Sequence, residues 1–469
     1  MIRIRSCYFV IALLLTIMFS LGSSDSKSTF STSFSMTDNS TITPAKNMDI
    51  NTLKNNTVSL PPPPPPPPPS SSITDLFASN SSTAQNEGDN STLKFEISPD
   101  IKAAIKDIVD GNNSNAAIVI GLIDPNGTQF YGYGKLSNTS NKTVDENTIF
   151  SIGSTTKVFT TVLLADLVNK GLVNLNDPIE KYLPSNVNVP QFNGHKITVE
   201  DLATHTSGLP EFPDNYCPLF DPTKTFVQDS VNYRTNVFNC TKDYSFEQFY
   251  EALSNFTLTR EPGSKVEYST FGIGLLGHIL VLKSNMSSFD ELLKNNILDV
   301  LGMNDTSFAL TDAFKSRLAV GHFNGQELPL LNMSSPIAPG GALHSSVNDM
   351  VKFLSANMGL IKTKLNDAMR ESHLIRQSTG QVVPNNIEAP SQGFYVGLGW
   401  FITTNFGHEV IWHNGATIGG YNAYMAFNPT SERGIVILCS TDILDINITT
   451  ISFSQKDKLS YLLWNLLNP

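Results

Sequence analysis

The amino-acid sequence predicts an α/β fold of the α+β type, with one antiparallel sheet assembled from both ends of the folded region and helices flanking it. Strand-like stretches occur near residue 120 and again beyond about residue 390, whereas the residues between Ser154 and that point show mostly helical and loop patterns. No internal repeat is present. A mainly helical region is therefore expected to be inserted between the two halves of the sheet.

The folded region begins at about residue 95 with a helix and two strands. Ser98-Pro-Asp100 precedes the amphipathic stretch IKAAIKDIV, which is typical of a capped helix. The stretches AAIVIGLID and TQFYGYGKLS predict two strands joined by a hairpin turn at Asp124-Pro-Asn-Gly127. These strands are expected to supply the first part of the sheet.

The C-terminal part of the chain returns to strands. One strand each is predicted by YVGLGWFIT, HEVIWHN, YNAYMAFNP and GIVILCS. The amphipathic stretch DKLSYLLWNLL predicts a final helix. The four strands are expected to join the first two in one sheet.

Residues 1–24 resemble an export leader. A basic start is followed by an apolar run from Cys7 to Gly22, which fits either a cleaved signal peptide or a retained N-terminal membrane anchor. Either interpretation exports the rest of the chain. Association with a membrane or cell envelope would then depend on whether this segment is retained.

Residues 25–94 are dominated by Ser, Thr, Asn and Pro, with nine consecutive prolines from Pro61 to Pro69. This composition predicts a disordered linker that contains an extended, semi-rigid spacer. Residues 95–469 then form the predicted catalytic domain.

The charge and the glycosylation triplets bear on partners and location. With 42 acidic against 31 basic residues, the formal net charge is −11, so phosphate backbones repel the chain and no nucleic-acid partner is expected. Together with the leader, the Asn-x-Ser/Thr triplets predict an extracytoplasmic glycoprotein, secreted or held at a membrane. The acceptor asparagines include Asn80, Asn90, Asn126, Asn138, Asn141, Asn239, Asn255, Asn285, Asn304, Asn332 and Asn447.

The cysteines suggest one disulfide and no metal site. Cys217 and Cys240 bracket a polar, aromatic loop that a disulfide would close in an oxidising compartment, although the sequence leaves their bonding open. Cys439 lies inside GIVILCS and is expected to be a small buried residue. Neither the cysteines nor the histidines have metal-site spacing, so no metal is predicted.

A serine and a lysine three positions apart are candidates for catalysis. Ser154 and Lys157 lie in FSIGSTTKVFTTVLLADL, between strand- or loop-like residues and residues with helical spacing. This places Ser154 at a helix N-terminus, where free N–H groups favour developing negative charge. If Lys157 is to act as a base near pH 7, burial must lower its pKa from about 10.4. The alternative is a helix cap beside a solvated lysine.

Two later stretches extend this pattern. PGSKVEYSTFGIGLLGHIL holds Tyr268 before an apolar helix, and WHNGATIGGY is a glycine-rich strand edge. This order resembles the serine β-lactamase and penicillin-binding protein superfamily, and is closest to class C β-lactamases and the related esterases, D-aminopeptidases and murein peptidases. The resemblance covers about residues 98–465 and includes LVNKGLVNLNDPIEKYLP, ITVEDLATHTSGLP and PGGALHSSVNDMVKFL.

The resemblance implies a β-lactamase/transpeptidase-like fold and a covalent acyl-enzyme mechanism. Ser154 would attack a carbonyl, Lys157 would take or relay its proton, and Tyr268 would be a second proton-relay group. The N–H groups of Ser154 and Ala416 would hold the oxyanion, with Gly415 allowing a close approach of the backbone to the substrate.

Two departures from the class C pattern concern the substrate. Tyr-x-Asn is replaced by Tyr268-Ser-Thr270, so a short hydroxyl stands where a carboxamide would contact a substrate amide. Lys-Thr-Gly is replaced by His413-Asn414-Gly415, so a histidine titrating near pH 6.5 stands where a permanent cation would hold a substrate carboxylate. Turnover of anionic substrates is then expected to fall as the pH rises through about 6 to 7. The resemblance favours the esterase and peptidase branch.

We therefore predict an exported serine hydrolase that needs no cofactor and acts on a small ester, amide or D-amino-acid peptide. A true class C-like β-lactamase and an inactive scaffold or binding protein of the same fold remain open alternatives. His205, in THTSGLP, is expected to be a structural hydrogen-bonding residue, and Ser346 is expected to start a helix.

Overall fold

The computed structural model describes residues 96–111, 116–217, 230–330, 336–380, 393–405, 407–441 and 458–468. These residues belong to one unit of the chain, and a second unit, Phe19–Ser91, lies outside them. The predicted leader and linker therefore also lie outside the described residues, as do the acceptor sites Asn80, Asn90, Asn332 and Asn447. None of the helices in the described ranges combines the length and the apolar character that a membrane span requires.

Fourteen strands are found in the described ranges. They are β1 (Ile118–Asp124), β2 (Gly127–Tyr133), β3 (Ile149–Ser151), β4 (Gln191–Phe192), β5 (His195–Lys196), β6 (His322–Phe323), β7 (Gln326–Glu327), β8 (His344–Ser346), β9 (Gln377–Ser378), β10 (Gly393–Val396), β11 (Phe401–Asn405), β12 (His408–Thr417), β13 (Tyr421–Asn428) and β14 (Arg433–Cys439).

The helices of the described ranges lie mostly between β3 and β10. They are α1 (Pro99–Gly111), α2 (Thr156–Asn169), α3 (Val199–Ala203), α4 (Ser230–Thr241), α5 (Phe246–Asn255), α6 (Thr270–Ser284), α7 (Phe289–Leu293), α8 (Asp299–Leu301), α9 (Asp312–Lys315), α10 (Val347–Asn357), α11 (Asn366–Ser372) and α12 (Lys458–Leu467), with 3₁₀ turns at Gly153–Thr155, Ile179–Lys181 and Ala338–Gly340 and a π segment at Lys294–Leu298.

Eight of the strands form one sheet in the order β2-β1-β14-β13-β12-β11-β10-β9. Its two halves meet where β1 pairs antiparallel with β14, from Ile118 opposite Cys439 to Ile123 opposite Gly434. The predicted sheet from both ends of the folded region, with a largely helical insertion, is therefore confirmed.

One of the predicted strands is in fact two. The stretch YVGLGWFIT folds back on itself, because β10 and β11 pair antiparallel across a turn in which the Gly397 amide donates to the Trp400 carbonyl at 2.9 Å. Gly399 makes this turn possible, since its φ of 72° lies in the left-handed region that favours glycine. The expectation of a single strand here was wrong.

The sheet is buried on both faces, which explains the nearly continuous apolar sequence of β1. Val119 and Ile123 pack into the core that contains α2 and α10, whereas Ile118 and Ile120 pack against α1 and α12. Helix α2 is buried from Thr156 to Leu167, and it therefore shows no polar face. The candidate nucleophile thus precedes a helix at the centre of the core.

Candidate active site

Ser154 and Lys157 are in direct contact. Ser154 lies in the 3₁₀ turn between β3 and α2, and Lys157 is the second residue of α2. The Lys157 Nζ donates to Ser154 Oγ at 3.1 Å and to the Gly340 carbonyl at 2.6 Å. Lys157 is completely buried, whereas Ser154 is partly exposed and lines a pocket. The amine therefore reaches the serine from the protein interior, and the hydroxyl faces the pocket.

Burial lowers the pKa of Lys157 to about 7, and the nearby Glu211 carboxylate opposes this shift. At neutral pH the amine is then divided between its two protonation states. A neutral amine at this distance can accept the hydroxyl proton of Ser154, because 2.6–3.2 Å is the usual heavy-atom separation for a general base. The role as a base that the sequence suggests for Lys157 requires a lowered pKa, and desolvation of the amine supplies it.

The Tyr268 ring lies against the same amine. Lys157 Nζ is 4.6 Å from the centroid of the Tyr268 ring, an arrangement in which the π face stabilises a cation. The ring also packs on His205 and Phe401, with centroids 4.6 and 6.4 Å apart. Tyr268 therefore belongs to the site, and the role of its hydroxyl as a proton relay stays a prediction.

The backbone of β12 packs directly on the turn that carries Ser154. A Cβ on Gly415 would overlap the Ile152 carbonyl oxygen and lie 3.0 Å from the Ser154 nitrogen. On the other side, a Cβ on Gly153 would lie 2.8 Å from the Ala416 oxygen. Two glycines thus allow two backbone segments to touch, and this contact brings Ala416 beside Ser154. Both residues line the pocket, as an oxyanion hole made by their N–H groups requires.

His413 differs from its sequence-based description. Its side chain is completely buried, and Nδ1 lies 2.6 Å from the Asn414 carbonyl, to which an Nδ1–H donates. Burial, together with the nearby Lys157 charge, lowers the pKa of His413 to about 3. The expectation that His413 titrates near pH 6.5 was therefore wrong. It is neutral at physiological pH and offers no cation to a substrate carboxylate.

The pocket encloses about 790 Å³, counting the part that is open to solvent. Thr270 lines it, as do Ala416 and Thr417 of β12, whereas His413, Asn414 and Gly415 are absent from its described lining. The lining residues are Ser151, Ser154, Glu211, Phe212, Tyr216, Val237, Phe238, Thr241, Thr270, Gly340, Gly341, Ala342, His344, Ala416, Thr417, Ile418 and Gly419.

Two functional groups of the site were missed by sequence reasoning. The Gly340 carbonyl holds the lysine amine, and the Glu211 side chain lines the pocket and interacts electrostatically with Lys157. Glu211 directly follows the stretch ITVEDLATHTSGLP, so an acid at that position was the available signal. Its proximity to Lys157 depends on the fold, because 54 residues separate the two in sequence (211 minus 157).

The supporting residues behave as the sequence indicates. His205 is buried and its Nδ1 accepts from the Ser269 amide at 3.2 Å, which confirms its structural role. Ser346 caps α10 by accepting from the Asp349 amide, which confirms the predicted helix start. Cys439 is free and buried, also as predicted.

A disulfide joins Cys217 and Cys240, whose Cα atoms are 5.6 Å apart. It links the chain just after Tyr216 to α4, which carries Val237 and Phe238 into the pocket wall. In the described ranges, no three His, Cys, Asp or Glu residues are grouped so that they could hold a metal ion.

Comparison with known proteins agrees with this geometry. A family model described as Beta-lactamase matches residues 102–445. The chain belongs to the beta-lactamase family. Over 349 residues it is 28% identical to the D-alanyl-D-alanine-carboxypeptidase/endopeptidase AmpH of Escherichia coli (strain K12). The aligned region covers 73% of this chain and 84% of AmpH.

Solved structures of the beta-lactamase family show the same fold. A beta-lactamase/D-alanine carboxypeptidase from Pseudomonas syringae matches with a TM-score of 0.61 and 20% identity, over 78% of this chain and 97% of that one. A beta-lactamase/D-alanine carboxypeptidase from Yersinia pestis, complexed with citrate, matches with a TM-score of 0.58 and 24% identity, over 78% of this chain and 98% of that one. The predicted β-lactamase/transpeptidase-like fold and family are confirmed, and the chain is a serine hydrolase of the peptidase or esterase type.

Proposed function

We propose that the chain is an extracytoplasmic hydrolase that forms an acyl-enzyme on Ser154 with a small ester, amide or D-amino-acid peptide. The observation that carries the proposal is the 3.1 Å contact between the buried Lys157 amine and the Ser154 hydroxyl at the wall of an open pocket. A nucleophile and its base within hydrogen-bond reach are what covalent acyl transfer requires.

In the first step, neutral Lys157 takes the hydroxyl proton as Ser154 Oγ attacks the substrate carbonyl carbon. The ammonium that forms is stabilised by the Gly340 carbonyl and by the Tyr268 ring, both of which already contact the amine. The carbonyl oxygen becomes an oxyanion, which the N–H groups of Ser154 and Ala416 would stabilise.

In the second step, the tetrahedral intermediate expels the alcohol or amine. This leaving group takes a proton from the Lys157 ammonium, directly or through the Tyr268 hydroxyl, and leaves an ester on Ser154. Water then gives up a proton to the neutral amine and attacks the ester, and Ser154 recovers its proton as the acid departs. Acylation and deacylation thus use the same groups, and the proton of Ser154 that is lost in the first is returned in the second.

The relative and the pocket support the proposed substrate class. AmpH, by its name, is a D-alanyl-D-alanine carboxypeptidase and endopeptidase. The neutral, buried His413 gives this pocket no cation at the β12 edge for a substrate carboxylate. Peptides and esters whose binding does not depend on a carboxylate are therefore favoured over β-lactams.

The extracytoplasmic location is proposed from the leader and the glycosylation triplets. Expression of the full chain in a secretory host should yield protein whose electrophoretic mobility increases after treatment with an N-glycosidase. A chain that stays in the cytosol without sugar would refute the location and leave the chemistry untouched.

The chemistry is tested by labelling the full-length chain with a fluorophosphonate and with a fluorescent penicillin. Peptide mass spectrometry should find the adduct on Ser154, and Ser154→Ala should abolish it. Ser91→Ala is the matched control, because Ser91-Thr-Leu-Lys94 repeats the spacing in the linker, and it should label normally.

The same preparation separates the alternatives. Turnover of p-nitrophenyl acetate or of a D-alanyl peptide amide, which has no C-terminal carboxylate, with little hydrolysis of nitrocefin, is the expected result. Rapid nitrocefin hydrolysis with negligible ester turnover would identify a true β-lactamase. A folded protein that takes no label and turns over none of the three substrates would be an inactive scaffold.

A further inference from the structure

We propose that Glu211 is a specificity-determining residue that selects substrates with a positively charged amino group on the acyl part. This inference rests on the proposed function, since it concerns the same pocket, and it adds the substrate class. The acyl part stays bonded to Ser154 in the covalent intermediate. Because Ser154 and Glu211 line one pocket, an amino group on that part remains within the cavity that both residues line.

The backbone of Glu211 is held firmly beside the catalytic groups. Its carbonyl accepts from the amides of Thr270 and Phe271, each at 3.0 Å, in the first turn of α6. These contacts anchor the residue next to the segment that carries Tyr268. The residue is half-buried and lines the pocket.

The Glu211 carboxylate has no ion-pair or hydrogen-bond partner among the residues that the structure describes. The nearby Lys157 amine is already engaged with Ser154 Oγ and the Gly340 carbonyl. Burial raises the pKa of Glu211, and the charge of Lys157 only partly opposes that shift. A bound ammonium would supply the missing counter-charge and form a charge-assisted hydrogen bond.

The rest of the described pocket lining favours the same class of substrate. His344, which pairs with Ser151 across β3 and β8, also lines the pocket, and burial lowers its pKa to about 4, so it is neutral at pH 7. Phe212, Val237 and Phe238 offer an apolar surface to a small side chain. Within this described lining Glu211 is the acidic side chain and no lysine or arginine is present, which favours a cationic substrate over one that carries a carboxylate.

The test compares D-alanine p-nitroanilide with N-acetyl-D-alanine p-nitroanilide at pH 7 on the full-length protein. The free α-amino group, with a pKa of about 7.7, is mostly protonated at this pH, and acetylation removes its charge. The native protein should favour the free amine in kcat/KM by about 10- to 100-fold, the usual effect of one hydrogen bond to a charged group. Equal values, or a preference for the acetylated compound, would overturn the inference.

Glu211→Gln should reduce this ratio at least about tenfold, and Glu211→Asp, which keeps the charge, should retain more of it. Any change in the pKa of Lys157 affects both substrates equally and cancels in the ratio. Asp214→Asn is the matched control, because Asp214 is an exposed carboxylate in the same segment, and it should leave the ratio unchanged. A ratio that survives Glu211→Gln would refute the role of Glu211.

The outcome is separable from that of the proposed function. Labelling of Ser154 by an uncharged fluorophosphonate does not involve a substrate amine, so it tests the acyl-enzyme alone. Normal labelling with an unchanged substrate ratio rejects only the Glu211 inference. Absence of labelling together with absence of turnover rejects the proposed function and, with it, the inference.

Discussion

The acidic limb of the pH–rate profile should be set by Lys157. Burial moves its pKa from 10.5 to about 7, which corresponds to roughly 5 kcal/mol at 1.36 kcal/mol per pH unit. At pH 7 about half of the amine is neutral, compared with roughly one molecule in 3,000 for an unperturbed lysine. Because the base must be unprotonated to accept the serine proton, kcat/KM should rise about tenfold per pH unit below 7 and level off above it.

Other groups that face the amine should contribute little to this limb. Burial and the charge of Lys157 hold the pKa of His205 well below its usual value, and they lower that of His413 to about 3. The His413 imidazole is therefore already neutral where the limb is measured, and the pKa of His205 is shifted in the same direction. The carboxylate of Glu211 is the remaining charged neighbour, and its loss in Glu211→Gln should move the limb to lower pH, because Glu211 raises the pKa of Lys157.

The assay is the initial rate of p-nitrophenyl acetate hydrolysis by the full chain from pH 5 to 9 at constant ionic strength. The substrate is uncharged, so the profile reports the enzyme. Lys157→Arg is the control, because a guanidinium stays protonated, and it should lose at least about 1,000-fold. A flat profile, or a limb centred near pH 10, would refute the assignment of Lys157 as a base with a depressed pKa.

Two further predictions concern the backbone contact beside Ser154 and the disulfide next to the pocket. Gly415→Ala should lower kcat by about 100- to 1,000-fold, the usual effect of losing one oxyanion donor, because the new Cβ would overlap a backbone carbonyl and push β12 away from Ser154. Gly419→Ala, on the same pocket wall with contacts no closer than 3.4 Å, should cost far less, and equal losses would contradict this explanation. Cys217→Ser should lower the free energy of unfolding by about 3 kcal/mol in denaturant titrations, for the loop of 23 residues closed with Cys240, whereas an unchanged midpoint would show that the bond does not contribute.

The sequence was sufficient for features that depend on local periodicity. Alternation and turn residues located the strands at both ends, and the spacing of Ser154 and Lys157 placed them one helical turn apart. The contact at 3.1 Å follows from that spacing once α2 forms. Where a local pattern was ambiguous, as at Gly399, a turn was read as part of a strand.

Features that depend on burial and on distant contacts were not available from the sequence. The reference pKa of an imidazole led to the expectation that His413 gains its charge near pH 6.5. Complete burial beside Lys157 instead keeps the ring neutral. The Gly340 carbonyl and Glu211 reach Lys157 only because the chain folds back over long separations. Periodicity indicates which face of a helix is buried, but it carries no information on which carboxylate will lie near that face.

The burial of Lys157 has an energetic cost. Keeping the amine near neutrality costs roughly 5 kcal/mol at pH 7, a large share of the 5–15 kcal/mol that stabilises a typical domain. The surrounding structure must offset this cost, and α2 is accordingly buried along nearly its whole length against helices and the sheet. The Gly340 carbonyl gives the amine a fixed partner in either protonation state. A buried amine that is unfavourable for folding is thus held in place by the packing around it.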